Sequence, residues 1–168
     1  VGKLVKDLSA RFEYVIFDLP ARPDYLYRNL ALYADCAFII SLHTAASIRA
    51  AEKTAIALNQ LTENGRQNLT SGGLDTRLIV NGFRIKDAKD GSNVGLYDII
   101  SKTRLQLEGV LPFDNTMCRA QEKGKLAYQA GGKRLFFNAV DNIARRCMGH
   151  KVPLFENVET KVKNNQVI

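Results

Sequence analysis

Apolar positions along the chain fall into short blocks with two different rhythms. Residues 1–11 carry Leu4, Val5 and Leu8 at helical spacing, which predicts an amphipathic helix. The block 12–18 reads Phe-Glu-Tyr-Val-Ile-Phe-Asp, and its unbroken apolar run at 14–17 predicts a strand covered on both faces. Asp24 stands where it would cap a short helix reaching Tyr33. A second unbroken run at 36–42 predicts another buried strand. Thr44 or Ser47 then opens a long helix to Leu61, with Ile48, Ala51, Ala55, Leu58 and Leu61 on its inner face.

The stretch 62–75 is polar and Gly-rich and predicts a surface loop. Residues 77–81 predict a third strand, and the charged stretch 84–93 a mobile surface segment. Leu96, Ile99, Ile100 and Thr103 set a helical rhythm over 96–105. A short fourth strand follows at 108–111, stopped by Pro112. Asn115 or Thr116 starts a helix that ends near Gly124. The last helix covers 134–148, with Leu135, Phe136, Ala139, Ile143 and Cys147 facing inward and Gly149 as its stop. Strand and helix alternate throughout. The expected fold is therefore α/β, a mostly parallel sheet with helices on both faces, over residues 1–149, with a tail at 150–168.

Composition narrows the class without choosing a function. At 168 residues, 46% hydrophobic and 24% charged, the chain suits one globular domain. No apolar run nears the ~18 residues that span a bilayer. Three scattered cysteines (Cys36, Cys118 and Cys147) make no disulfide framework, which fits a reducing cytoplasm. The net charge of +7 favours acidic partners such as nucleotide phosphates, nucleic acid or an anionic membrane face.

In an open α/β sheet, ligands bind beyond the carboxyl ends of the strands. Three such ends carry chemistry here. Asp18 closes the first apolar run, where a carboxylate can hold Mg²⁺ beside a nucleotide or serve as a turn acid. Asn81 presents an amide able to read a base edge, or a turn before Gly82. Pro112, Phe113 and Asp114 can wall a purine, or can end a strand and cap a helix. The phosphate-cradling Gly-x-x-x-x-Gly-Lys-[Ser/Thr] loop is missing from the sequence. Gly131-Gly132-Lys133-Arg134 and Gly2-Lys3-Leu4 imitate it only superficially. His43 and His150 are too few and too far apart for a metal site, and no Ser–His–Asp or Cys–His arrangement is visible.

In order and spacing these segments resemble the later part of a MinD/ParA-type ATPase, the P-loop branch with a deviant Walker A motif. Residues 14–21 (Tyr-Val-Ile-Phe-Asp-Leu-Pro-Ala) are similar to its Walker B strand and switch II. Ala34-Asp35 before the apolar run 36–40 resembles the next strand, and Ser47-Ile48-Arg49 the helix after it. Leu78-Ile79-Val80-Asn81 looks like the strand whose Asn contacts adenine. The stretch 108–114, followed by Arg119-Ala120 and Gly124, is similar to a Gly-Val-Ile-Pro-x-Asp…Arg-Ala…Gly block. The likeness runs over roughly residues 5–155 and is greatest to the septum-site branch.

The resemblance implies ATP and Mg²⁺ as cofactors of the complete protein. Asp18 would be the catalytic and metal-shell carboxylate. Leu19, Pro20, Ala21 and Arg22 would form switch II, and Asn81, Pro112, Phe113 and Asp114 would frame adenine. It further implies a homodimer, Min-type division inhibitor and activator proteins as partners, and a cytoplasmic protein that can sit peripherally on the anionic inner membrane face. A ParA-like DNA partition ATPase and a CpaE/TadZ-like pilus-localisation scaffold are the alternatives. Without its P-loop segment, the chain alone is expected not to hydrolyse ATP. Arg22 takes the switch glycine's position, so either its guanidinium reaches phosphate or the loop no longer senses nucleotide. The tail lacks the apolar face of a membrane-targeting helix.

Overall fold

The computed structural model describes residues 1–20, 25–65, 74–126, 128 and 134–154, without the side chains of 62–65 and 134. Contact density divides the chain into two compact units. One is Val1–Phe38 with Lys53–Thr76, and the other is Ile39–Glu52 with Arg77–Ile168.

In the first unit, α1 (Gly2–Ser9) buries Val5, and its first residue lies so close to the Tyr33 hydroxyl that a Cβ there would push the Tyr33 ring aside. Helix α2 (Tyr25–Ala31) buries Tyr27, Leu30 and Ala31, positions three and four apart on one face. The unit also includes the first residues of β1 (Cys36–Leu42), much of α3 (Ala45–Gly65) and the start of β2 (Asp75–Phe83).

The second unit holds the rest of those elements with α4 (Ile85–Lys89), α5 (Leu96–Thr103), β3 (Gln106–Pro112), α6 (Asn115–Glu122) and α7 (Arg134–Cys147). The strands form a parallel sheet in the order β1-β2-β3, each joined to the next through helices. Leu78, Val80, Ile99 and Val110 are fully buried at its centre. Thr44 caps α3, its Oγ1 accepting from the Ser47 amide at 3.3 Å. Ile48, Ala51, Ala55 and Leu58 form the buried stripe of α3, on the face its spacing predicts.

Pairing between β2 and β3 is interrupted twice. One step from Leu78 to Ile79 matches two steps from Leu107 to Gly109, so Glu108 is the extra residue on β3. Glu108 is 1% exposed, and the carboxylate so inserted takes a 2.9 Å ion pair from Arg77. The second interruption, at Asn81 and Gly82, bears on the site described below. Helix α7 packs along β3 over Gly109, where a Cβ would fall inside the Ile143 side chain.

Three expectations from sequence change. The strand at 14–17 is not formed. Residues 14–20 are irregular, and Ile16 is 91% exposed. An apolar run becomes a strand only through a neighbour's backbone hydrogen bonds, and no described strand pairs with this one. In β1, burial alternates instead of covering both faces, leaving Phe38, Ile40 and Leu42 exposed on one side, as an edge strand permits. Cys147 is exposed as a residue, while its thiol turns to the buried Glu108, with Sγ 3.6 Å from Oε1.

Gly109→Ala tests the α7–β3 contact. Overpacking should cost about 1–3 kcal/mol, read as a lower urea midpoint. Adding Ile143→Val should restore part of that loss. Strict additivity of the two changes would contradict direct packing of Ile143 on Gly109.

Candidate functional site

The site is set by the second interruption in the sheet. Val80 pairs with Val110 and Phe83 with Pro112, so three steps along β2 match two along β3. The extra residue is accommodated because Gly82 takes φ +66°, a conformation costly for any residue with a Cβ. Pairing then resumes, and the Phe113 amide donates to the Phe83 carbonyl at 3.0 Å. This bulge brings Phe83 and Phe113 together at the carboxyl ends of two adjacent parallel strands, the ligand-binding edge of such sheets.

An open cavity of about 530 Å³ lies there. Its apolar walls include Phe83, Pro112, Phe113 and Leu135, and its charged residues are Arg84, Lys86 and Asp87. The volume is that of a small-molecule pocket. The Arg84 guanidinium lies over the Phe113 ring with Cζ 3.5 Å from the centroid, a cation–π contact worth about 0.5–1 kcal/mol at an exposed position.

The segment 84–93, which its charge predicts as a mobile surface segment, carries a short helix, and its first residues line the cavity. It contains α4 and a turn in which the Asn93 amide donates to the Asp87 carbonyl at 3.0 Å. The Asn93 side chain donates to Asp87 Oδ2 at 3.2 Å. Val94 N–H then donates to the His43 carbonyl at 2.9 Å, fastening the segment to the residue just after β1. Local hydrogen bonding outweighs the charge run here.

His43 lies behind the cavity wall. It is 4% exposed, its ring centroid is 4.9 Å from that of Phe83, and its Nδ1 has no hydrogen-bond partner among the described residues. Burial holds the imidazole below its ordinary pKa of 6.5. The Asp87 carboxylate and a hydrogen bond with the Val94 backbone act in the opposite direction, while the Arg84 guanidinium lowers it further.

Of the residues expected to frame a base, Pro112 and Phe113 line the cavity. Asn81 is half-buried at the bulge and does not line it. Asp114 is 4% exposed, and its Oδ1 accepts from the Thr116 amide at 2.8 Å, making it the N-cap of α6. Asp18, Leu19 and Pro20 lie on the irregular segment of the first unit, with Asp18 exposed. Ala21, Arg22 and Gly131 to Lys133 fall outside the described residues. No group of three or more His, Cys, Asp or Glu side chains suited to a metal occurs among the described residues. Phe83, Arg84 and His43 were not singled out as base contacts from sequence. The Asn81-Gly82 pair ending an apolar strand was the available signal for a bulge and what it re-aims. A smaller cavity of about 210 Å³, lined by residues such as Ile48, Arg49 and Lys102, offers no aromatic wall.

No family model matches the chain. It is 28% identical over 154 residues to the septum site-determining protein MinD of Bacillus subtilis, covering 92% of this chain and 54% of that protein. The solved MinD cell division protein of Aquifex aeolicus superposes with a TM-score of 0.72 at 23% identity, over 91% of this chain and 60% of that one. The MinC:MinD complex from that organism gives 0.58 at 24% identity, over 72% and 45%. MinD of Pyrococcus horikoshii, solved with Mg-ADP, gives 0.66 at 14% identity, over 89% and 58%. At these identities the solved structures show a common fold. The chain spans about half the length of the curated relatives it matches.

His43 predicts a pH dependence of stability. The folded state keeps the ring neutral at a pH where the unfolded chain takes up a proton. Stability present above about pH 6.5 is therefore lost as the pH falls toward the folded value. The wild-type urea midpoint should drop between about pH 7.5 and pH 5.5, and His43→Gln should flatten that drop. Equal slopes for the two proteins would contradict a buried neutral imidazole.

Proposed function

Because the chain is related to the MinD/ParA-type ATPases, we infer that its cavity receives the purine of an adenine nucleotide, within a protein acting as an ATP-dependent dimer switch in division-site placement. The observation that carries the reading is the cavity itself, lined by Phe83 and Phe113 with the cations Arg84 and Lys86 at the carboxyl ends of β2 and β3. Flat apolar walls suit a base, and Arg84 and Lys86 suit the anionic groups attached to it. The Mg-ADP held by Pyrococcus horikoshii MinD is of that chemical class.

The residues fit base and phosphate unequally. Base stacking has its walls. The triphosphate has no Gly-rich loop and lysine in this sequence to enclose it. Asp18 offers one exposed carboxylate as a Mg²⁺ ligand, direct or through water, which alone does not make a magnesium site, so no step is routed through the metal. The remaining parts of the proposal are what the family resemblance implies. They are a homodimer when the whole protein binds ATP, a division inhibitor and an activator of the Min type, and contact with an anionic membrane face; the MinC:MinD complex of Aquifex aeolicus supports a Min-type partner. DNA is the weaker partner reading, since the Lys and Arg residues are scattered along the chain.

NMR titration tests the base site. Adenosine should bind with an affinity in the millimolar range, and Phe113→Ala should weaken it at least about five-fold, the loss of one stacking contact. Lengthening AMP to ATP should change affinity by less than about ten-fold, because this sequence carries no Gly-rich phosphate loop for the added phosphates. Adenosine binding that ignores Phe113→Ala would contradict the site. Micromolar affinity for Mg-ATP would contradict the missing cradle.

A further inference from the structure

Arg84 occupies an unusual position. Its guanidinium lies flat on Phe113, and both residues line the cavity, so the ring face that a purine would need already carries a planar group. The side chain is exposed and has no ion-pair partner among the described residues. It contributes no capping hydrogen bond to α4, although the residue is that helix's N-cap, with extended backbone at φ −119° and ψ 112°. Among the described residues, no side-chain hydrogen bond or ion pair to the guanidinium is formed beside this ring contact. A guanidinium stacks on an aromatic ring through its plane and pairs with phosphate through its edge, so the same group serves both contacts in turn.

We propose that Arg84 is a two-position gate that sets the cavity's preference for charged over neutral purines: it covers Phe113 in the empty site and moves to the ligand's phosphate when a base takes the ring. The inference rests on the base-site reading above. In the empty state the guanidinium acts as a stand-in for the base, and any base must displace it. A neutral nucleoside meets that cost with no return, because it offers the released cation nothing to pair with. A nucleoside phosphate recovers the cost through a charge-assisted hydrogen bond. Asp87 also lines the cavity, with its Oδ2 accepting from Asn93, and it forms no ion pair with Arg84. Lys86 adds positive charge at the same rim but has no planar group to stack, so it contributes attraction without gating.

Adenosine and AMP are the probes, titrated by NMR into the full chain and into Arg84→Ala. Removing the side chain should make adenosine bind roughly two- to five-fold tighter, the size of an exposed cation–π contact. The same change should make AMP bind several-fold weaker, so the two ligands move in opposite directions. Arg84→Lys keeps the charge and loses the planar stack, and should tighten adenosine while retaining most of the AMP affinity. Weakening of both ligands by Arg84→Ala would overturn the proposal, since the guanidinium would then be a fixed layer beneath the base. An unchanged affinity for both would also overturn it, making Arg84 a bystander. If the wild-type chain binds neither probe, the base-site reading falls and the gate with it, an outcome distinct from same-direction changes in a protein that binds.

Discussion

The out-of-step pairing of β2 with β3 is the constraint on which the site depends. Parallel strands in simple register would carry Phe83 and Pro112 past each other by one residue, and a shift of one residue exchanges the two faces of a strand. Gly82 absorbs the extra residue at φ +66°, pairing resumes at Phe83 and Pro112, and the Phe113 amide closes on the Phe83 carbonyl. The aromatic walls, the start of α4 at Arg84 and the cap of α6 at Asp114 all follow from that closure. The other offset, at Glu108, serves a different purpose. It buries a carboxylate that Arg77 neutralises, close to where α7 rests on Gly109.

Much of this framework was legible in the sequence. Helical stripes such as Ile48-Ala51-Ala55-Leu58 depend on one spacing repeated within one element, and the structure keeps them. The strands at 75–83 and 106–112 sit where apolar runs end in turn-forming residues. Residues 14–17 failed for a reason that no local pattern encodes. A strand is completed by its neighbours, and the same apolar run is irregular where no described strand pairs with it. The exposed stripe Phe38, Ile40 and Leu42 is one face of β1, left open among the described residues.

Of the residues singled out at strand ends, some line the cavity and others, Asn81 and Asp18 among them, do not. Pro112 and Phe113 stand in the cavity wall, but the Asp114 carboxylate is taken up by the α6 amides it caps, a competition that short polar side chains often win at helix starts. Arg84 was hidden in a charge run, because a run of charges reports solvation and says nothing of which aromatic ring lies across the sheet. His43 was recognised as a strand-end residue. That its ring would back Phe83, with no partner for Nδ1 among the described residues, depends on two elements distant in the chain.

The reading on which the site stands is a purine received against Phe113, in the cavity at the carboxyl ends of β2 and β3. Photocrosslinking with an azido-adenosine, followed by peptide mapping of the adduct, addresses it most directly. The account predicts adducts within residues 83–87 or 112–115, suppressed by excess adenosine. Competable adducts mapping to residues 45–52, at the start of α3, would contradict it.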